Sequence, residues 1–285
     1  MRFWPRLMKF SIITPTKNNL PKLKRCIGSV RGQNHSDVEH IIQDSCSQDG
    51  TPQWLADQTD IRWFSEHDSG MYDAINRGWG RSDGDVLSWL NSDEQYLPGT
   101  LERVADFFEM HPSVDFVYGD ALVVKEDGSL IAARREIRLS SAYIANSFLN
   151  AFSCTTFFRR RLRERGLLVL DSQYKYAADM DLILRLLAAG KHYAKIPCYM
   201  GVFTLDGSNL SCHPEMLEET KEIQIRHRGF RSPLMRRLFT TGRYIERLFR
   251  GSYHKVNITY RFAVDEVPRY RDISGRRIPG SYRTR

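Results

Sequence analysis

The chain has 285 residues, 41% hydrophobic and 27% charged, which is a globular composition and excludes a disordered or fibrous protein. This length suits one large domain or two small ones. An odd number of cysteines without metal-ligand spacing favours reduced thiols in a cytoplasmic protein: Cys26, Cys46, Cys154, Cys198 and Cys212. The opening MRFWPRLMKF is too interrupted for a secretory signal. No apolar stretch approaches the roughly 18 residues of a membrane span.

Charge is unevenly distributed along the chain. Residues 221–285 contain 17 Lys or Arg against 5 Asp or Glu, a net charge of +12. The preceding 220 residues have a net charge of −4, which brings the whole chain to +8. A basic tail of this kind suggests an anionic partner, either a membrane surface or a nucleic acid.

The first hundred residues alternate apolar strand patterns with helical patterns. Strands are predicted at 10–14, 38–43, 61–64 and 85–90, with helices at 21–33 and 72–79 and a helix start near 51. This alternation predicts βαβ units, and therefore an α/β fold with a mainly parallel central sheet flanked by helices.

The patterns after residue 100 are more mixed. Helices are predicted at 100–110 and 179–187, and strands at 116–118, 121–124 and 152–158. A hairpin partner is predicted at 129–134, after the turn formed by Glu126, Asp127 and Gly128.

The basic tail contains an amphipathic pattern at 233–250. Its apolar stripe consists of Leu234, Leu238, Thr241, Ile245 and Leu248, and five arginines lie mostly off this stripe. Such a helix can lie in the interface of an anionic membrane. Alternatively, the stripe packs on the rest of the protein and the arginines are solvated.

Polar side chains follow successive apolar strands. Asp44 follows the second strand, Asp68 lies just beyond the third, and Asn91 and Asp93 follow the fourth. Because the carboxyl ends of parallel strands open onto one crevice, these side chains are expected to line a ligand pocket. The alternative is that they are ordinary turn residues.

The chemistry expected of this pocket is cation binding. A negatively charged pocket without a compensating Lys or Arg cluster binds phosphate poorly, unless a divalent cation bridges carboxylate and diphosphate. The chain contains neither GxxxxGK[ST] nor GxGxxG, so a P-loop or a dinucleotide fingerprint is not indicated.

Four spaced segments resemble family 2 glycosyltransferases and occur in the family's order: SIITPTKNN, IIQDSCSQDGT, SEHDSGMYDAINRGWGRSDGDVLSWLNSDE and YKYAADMDLILRLLAAG. The resemblance covers roughly residues 10–205. It implies the GT-A fold and a single-displacement transfer that inverts the anomeric centre. The chain lacks the Q-x-x-R-W signature of processive synthases, which indicates the transfer of single sugars.

The resemblance also implies roles for individual residues. Thr14, Pro15 and Thr16 would border the nucleotide, and Asp44 would accept a hydrogen bond from the base, typically uracil. Asp68, Asp73 and Asn76 would pack over the nucleoside and ribose. NSD, residues 91–93, stands where the family has its DxD-type motif, so that Asn91 and Ser92 would contact the donor and Asp93 would bind Mn²⁺ or Mg²⁺.

Some of these residues also have structural interpretations. Asp44 could cap a turn, Asp73 could stabilise a helix N-terminus, and Asn76 could be a core amide.

The resemblance places the general base at Asp179, in AADMDL. Helix capping is the structural alternative for Asp179, since Asp favours helix starts. Asp181 would point elsewhere, because side chains two residues apart on a helix do not share a face.

We therefore expect a nucleotide-sugar-binding half at 1–99, an acceptor-binding half with the base at 100–212, and a basic helical extension at 213–285. The expected donor is a nucleotide-diphosphate sugar, with UDP as the expected nucleotide, and the expected acceptor is a glycan or a lipid-linked sugar in bacterial surface polysaccharide synthesis. The expected location is cytoplasmic, at the inner face of the membrane through the tail. A metal-dependent nucleotidyltransferase and a nucleic-acid-binding protein are the alternatives, although no nucleic acid is expected.

Overall fold

The computed structural model describes residues 7–207, 209, 213–252, 255–265 and 267–277. Cys212 and residues 278–285 of the basic tail therefore lie outside the described residues. The strands are β1 Phe10–Thr16, β2 Val38–Asp44, β3 Arg62–Ser65, β4 Val86–Trp89, β5 Gln95–Tyr96, β6 Phe116–Val124, β7 Leu130–Arg134, β8 Thr156–Arg159, β9 Tyr193–Thr204, β10 Lys255–Asp265 and β11 Val267–Arg277. The helices are α1 Leu20–Arg31, α2 Thr51–Ala56, α3 Met71–Arg81, α4 Thr100–Met110, α5 Ser141–Ile144, α6 Arg160–Glu164, α7 Ala178–Ala188, α8 Glu215–Arg226 and α9 Pro233–Phe249.

One large sheet organises the fold, in the strand order β3-β2-β1-β4-β8-β6-β9-β5, with β7 paired to β6. Strands β3, β2, β1 and β4 are all parallel, as the alternating pattern predicted. Beyond β4 the sheet is mixed, because β8 runs antiparallel to both β4 and β6, whereas β9 is parallel to β6. The predicted α/β fold is confirmed, and its run of four parallel strands lies within the first hundred residues.

Two apolar layers cover the two faces of the sheet. Phe157 and Phe158 are both fully buried and belong to different layers, because neighbouring strand residues point to opposite faces. Helix α3 packs closely on β1 at Gly78, where an added Cβ would lie 2.4 Å from Cγ2 of Ile13. The glycine thus permits the close contact that sets the position of α3, whose N-terminus borders the site described below.

Strand β9 is the main element that the sequence patterns did not predict. Pro197 and Gly201 lie within it, and both residues weaken a strand prediction. The register between β6 and β9 shifts between Tyr118 and Ala121, opposite Pro197. A bulge of this kind accommodates a proline that cannot donate to the ladder.

The C-terminal extension is only partly helical, which corrects the predicted helical tail. Helices α8 and α9 are followed by an antiparallel hairpin of β10 and β11. Tyr260 and Phe262 of β10 are buried against the layer that covers β6 and β7. Among the described residues, no helix combines the length and the apolar character needed to cross a membrane.

Candidate active site

A pocket of about 530 Å³ lies at the carboxyl ends of β1 and β4. Seven of the predicted site residues line it: Pro15, Thr16, Asp68, Asn91, Ser92, Asp93 and Asp179. This is the edge at which parallel sheets place their ligands. The fold therefore brings Asp179 to the strand-end residues, although 86 positions in the chain separate it from Asp93.

Asp93 follows β4 and has few neutralising partners. Its Oδ2 accepts a hydrogen bond from Nδ2 of Asn209 at 3.2 Å. Burial raises the pKa of Asp93 above its usual range, and the negative charge of Asp206 adds to this effect against the opposing charge of Lys22. The side chain thus lies where a bound cation would stabilise its ionised form.

Glu94, the next residue, lies behind the pocket and is fully buried. Its carboxylate accepts a hydrogen bond from the backbone N–H of Asn91 at 2.9 Å and another from Oγ of Ser153. Burial, followed by the charge of Asp93, raises the pKa of Glu94 to about 8. The end of β4 therefore brings two carboxyl groups close together in a buried position, which disfavours the ionisation of both.

The structure corrects one expectation about the charge of this pocket. Lys17 and Lys22 both line it, so it does have cationic side chains. The Nζ atom of Lys22, on α1, forms an ion pair with Asp206. Lysine binds phosphate as a point charge, and either side chain could contribute to diphosphate binding.

Two buried oxygens at the pocket have no hydrogen-bond partner within the part of the chain that the structure describes, Oγ1 of Thr16 and Oδ1 of Asn91. Buried polar atoms are rarely left unpaired, and such exceptions often mark a ligand site. Asn91 Oδ1 and the Asp93 carboxylate are the hard oxygen ligands that Mg²⁺ and Mn²⁺ prefer.

These residues fit a divalent cation only if the phosphate groups of a bound substrate complete the coordination of the cation. Across the described ranges, no three His, Cys, Asp or Glu side chains gather closely enough to hold a metal ion. Mg²⁺ is commonly bound through one or two carboxylates together with substrate phosphates. Asp93 and Asn91 are suited to that kind of shared site.

Asp179 lies in the first turn of α7, with Oδ1 facing two donors. The backbone N–H of Met180 lies 2.8 Å from this oxygen, and the Tyr72 hydroxyl lies 3.5 Å from it. Burial raises the pKa of Asp179 to about 6, and the charge of Glu219 contributes to the rise. A carboxylate with a pKa near neutrality is suited to accepting a proton from a hydroxyl group.

Glu219, on α8, holds the segment that leads into α7. Its two carboxylate oxygens accept hydrogen bonds from the backbone N–H groups of Lys175, Tyr176 and Ala177, at 2.7, 2.8 and 3.1 Å. A carboxylate at this position also interacts favourably with the helix dipole. Glu219 therefore fixes the backbone just before Asp179, and no sequence motif predicted this role.

Asp181 is turned away from the pocket, as the helical spacing predicted. It is fully buried, and its Oδ2 accepts from Nε of Arg185 at 2.7 Å. Its Oδ1 lies 2.8 Å from Nε2 of His227. This network ties α7 to the end of α8 and gives Asp181 a structural position.

The structure does not bring Thr14, Asp73 and Asn76 to the pocket. Oγ1 of Thr14 is buried in the sheet, 2.9 Å from Nε2 of His40. Asp73 forms an ion pair with Arg77 and accepts from the backbone N–H of Ser69, which is the helix-terminal arrangement considered above. Both ends of the Asn76 amide bind the backbone of Leu170, so Asn76 connects α3 to the segment before α7.

Asp44 lies beneath the pocket wall. It is fully buried and accepts from the backbone N–H of Ser47 at 3.1 Å and from Oγ of Ser65 at 2.6 Å. Its neighbour Ser45 lines the pocket. The carboxylate is thus occupied by turn hydrogen bonds in the structure, which is its predicted structural alternative.

Four aromatic side chains also line the pocket, and the sequence patterns did not single them out. These aromatic residues are Tyr72, Trp89, Tyr176 and Phe203. Tyr72, Trp89 and Tyr176 belong to segments already quoted for the resemblance, whereas Phe203 is contributed by β9, which no quoted segment covers. Aromatic side chains combined with well-placed polar groups are typical of small-molecule sites.

Comparison with known proteins identifies the family. Residues 11–168 match the family model described as Glycosyl transferase family 2, and this match covers more than half of the chain. The protein therefore belongs to glycosyl transferase family 2, as the four segments predicted.

Two relatives with similar sequences are named as glycosyltransferases. A PGL/p-HBAD biosynthesis glycosyltransferase of Mycobacterium tuberculosis is 37% identical over 120 residues, which cover 40% of this chain and 47% of the relative. An uncharacterized glycosyltransferase of Nostoc is 24% identical over 196 residues, covering 65% of this chain and 61% of the relative. The chain thus spans about half the length of the mycobacterial relative.

Two solved structures, each with a bound nucleotide sugar, have a similar fold. TarS 1-349 of S. aureus, in complex with UDP-GlcNAc, has a TM-score of 0.61 at 19% identity, covering 77% of this chain and 66% of TarS 1-349. The mannosyltransferase PcManGT of Pyrobaculum calidifontis, in complex with GDP-Man and Mn²⁺, has a TM-score of 0.59 at 19% identity, covering 84% of this chain and 70% of its own. These similarities confirm the GT-A fold.

Proposed function

We propose that the protein transfers one sugar from a nucleotide-diphosphate sugar to a hydroxyl group of a glycan or lipid-linked acceptor. The observation that carries this proposal is the pocket that contains both Asp93 and Asp179. The former is suited to the diphosphate end of a donor and the latter to an incoming hydroxyl. The family assignment and the nucleotide sugars bound by TarS and PcManGT support the same reaction.

The proposed donor is UDP-linked, and the proposed product is a bacterial surface polysaccharide or a related glycolipid. UDP-GlcNAc in the TarS complex supports the nucleotide, although PcManGT binds GDP-Man at a similar level of fold similarity. The aromatic walls offer stacking surfaces for a base or a sugar.

In the proposed mechanism, Asp179 accepts the acceptor's hydroxyl proton as that oxygen attacks the anomeric carbon. The new C–O bond forms as the bond from the anomeric carbon to the diphosphate breaks, and the nucleoside diphosphate leaves with the bonding electron pair. Attack from the face opposite the leaving group inverts the anomeric configuration. Residue Asp93, with Asn91, would hold a divalent cation, which when bound neutralises the charge that develops on the diphosphate.

The alternative enzyme class has less support. A nucleotidyltransferase on a similar sheet usually has a glycine-rich loop after the first strand, whereas β1 is followed here by Lys17, Asn18 and Asn19. The family assignment also favours glycosyl transfer.

A panel of nucleotide sugars tests the proposal. Each donor is incubated with the protein and Mn²⁺ or Mg²⁺, with and without candidate acceptors, and released nucleoside diphosphate is measured. We expect release from one donor class, with loss of release in Asp93→Asn and Asp179→Asn. The matched control is Asp57→Asn, which removes an exposed carboxylate outside the pocket. No release from any donor by the wild type, or equal release by all three variants, would contradict the proposal.

A further inference from the structure

Helix α9 packs on the rest of the protein through its arginine face. Arg247 is buried and lies 3.5 Å from the fully buried carboxylate of Glu136. One turn earlier, the guanidinium of Arg243 lies over the ring of Tyr143 at 4.7 Å and donates to the carbonyl oxygen of Arg138. Residues four apart share a helix face, so the two arginines together define the side that faces the protein.

The apolar stripe consequently points outward, opposite to these arginines. The four aliphatic members of this stripe, Leu234, Leu238, Ile245 and Leu248, and the adjoining Phe249 are all exposed. Leu234 is 66% exposed and Phe249 is 88% exposed. A globular protein would normally bury such an apolar stripe and leave the arginines in solvent. Helix α9 has the reverse orientation.

Exposed cations border this stripe. Arg237 lies on α9 beside it, and Arg228 and Arg231 lie in the segment just before the helix. Residues 221–285 as a whole have a net charge of +12. An outward apolar stripe among cations is typical of helices that lie in the interface of an anionic bilayer.

We propose that the outward face of α9 binds the surface of an anionic lipid bilayer, with the apolar stripe among the acyl chains near the headgroups. A second copy of the chain would bring the same positive charge against this face, which disfavours self-association. Nucleic acid would satisfy the charge, but it offers no apolar interior for the five exposed side chains. The proposal does not depend on glycosyl transfer, since it concerns binding alone.

Co-sedimentation with vesicles tests this proposal on the full chain. We expect binding to vesicles that contain phosphatidylglycerol, weaker binding to pure phosphatidylcholine, and release at high salt. The double variant Leu238→Glu, Ile245→Glu should bind anionic vesicles at least about tenfold more weakly, because two apolar groups no longer enter the interface. Both positions are exposed, so the thermal midpoint should not change.

The matched control is Met110→Glu, at a 69% exposed position at the end of α4. It introduces the same kind of substitution away from the stripe and should bind vesicles like the wild type. If the double variant loses stability, Leu238→Gln with Ile245→Gln provides the same comparison without added charge. Equal vesicle binding by the stripe variants and the wild type, or no binding by the wild type, would overturn the proposal. A dimer that only the stripe variants abolish, or nucleic-acid binding without vesicle binding, would also overturn it.

Discussion

The hydroxyl of Tyr72 lies 3.5 Å from Oδ1 of Asp179, although the two residues are 107 positions apart and belong to α3 and α7. The position of α3 depends on its contact with β1, and that of α7 depends on Glu219 and the Asp181 network. The proposed base is therefore placed by both halves of the fold. Its half-buried carboxylate opens into the pocket that also contains Asp93.

Replacing Asp179 by Asn should lower kcat by about two to four orders of magnitude, the usual contribution of a positioned base. The amide is nearly the same size but cannot take up a proton. Nucleoside diphosphate binding, measured by calorimetry, should stay near the wild-type value. A comparable loss of donor affinity would make Asp179 a binding residue instead.

Asp181→Asn is the contrasting variant two residues away. It removes the charge that pairs with Arg185 and His227, so we expect a lower urea midpoint with nearly normal turnover in the folded fraction. If Asp181→Asn damages turnover more than Asp179→Asn does, the roles within this pair are reversed.

The acid limb of the kcat/KM profile should report the ionisation of Asp179. Since only the carboxylate can accept a proton, activity should be present above the pKa of about 6 and be lost as the pH falls through it. The charge of Glu219 contributes to this raised pKa. Glu219→Gln should therefore move the acid limb to lower pH.

A purely structural role of Glu219 would lower stability and leave the acid limb in place. The matched control is Glu218→Gln on the same helix, since Glu218 is exposed and the N–H groups of the segment before α7 donate to Glu219 instead. It should leave both the acid limb and the unfolding midpoint unchanged.

Asp93→Ala should remove turnover while the urea midpoint changes little, because Asp93 accepts a hydrogen bond from only one described residue, Asn209. Excess chelator should also remove the turnover of the wild type, and added Mn²⁺ should restore that turnover. Near-normal activity of Asp93→Ala in excess chelator would rule out a metal-dependent mechanism.

Arg247→Met tests the orientation of α9. The substitution leaves the buried carboxylate of Glu136 with Arg134 as its remaining partner, at 3.0 Å. We expect the free energy of unfolding to fall by about 2 kcal/mol, which is less than the about 3–5 kcal/mol for a pair left wholly unpaired. The control Arg237→Met, at an exposed position, should stay within about 0.5 kcal/mol of the wild type. Equal effects of the two substitutions would contradict the observed packing.

The sequence predicted the parallel part of the sheet because its strands are apolar and alternate with amphipathic helices. It also predicted that Asn91 and Asp93 would share a pocket, since both follow a parallel strand. Side chains whose neighbours come from distant segments were less predictable. Asn76 lies in a quoted segment, but only the fold shows that its amide binds the backbone of Leu170.

The hydrophobic pattern of the sequence could not predict the orientation of α9, for a similar reason. The pattern at 233–250 correctly gave a helix with an apolar stripe, yet it could not show which face meets the protein. That outcome depends on Glu136 and the carbonyl oxygen of Arg138, roughly a hundred residues earlier, which bind Arg247 and Arg243. Strand β9 was obscured by Pro197, whose bulge becomes visible only with its partner strand.

The division of roles between Asp93 and Asp179 is tested most directly by titrating UDP into the protein by calorimetry, with and without Mn²⁺. The account predicts Mn²⁺-dependent binding by the wild type, a loss of more than about tenfold in Asp93→Asn, and wild-type affinity in Asp179→Asn, since even outer-shell changes at metal sites cost about 10–100-fold. Binding that is independent of Mn²⁺ and unchanged in Asp93→Asn would contradict it.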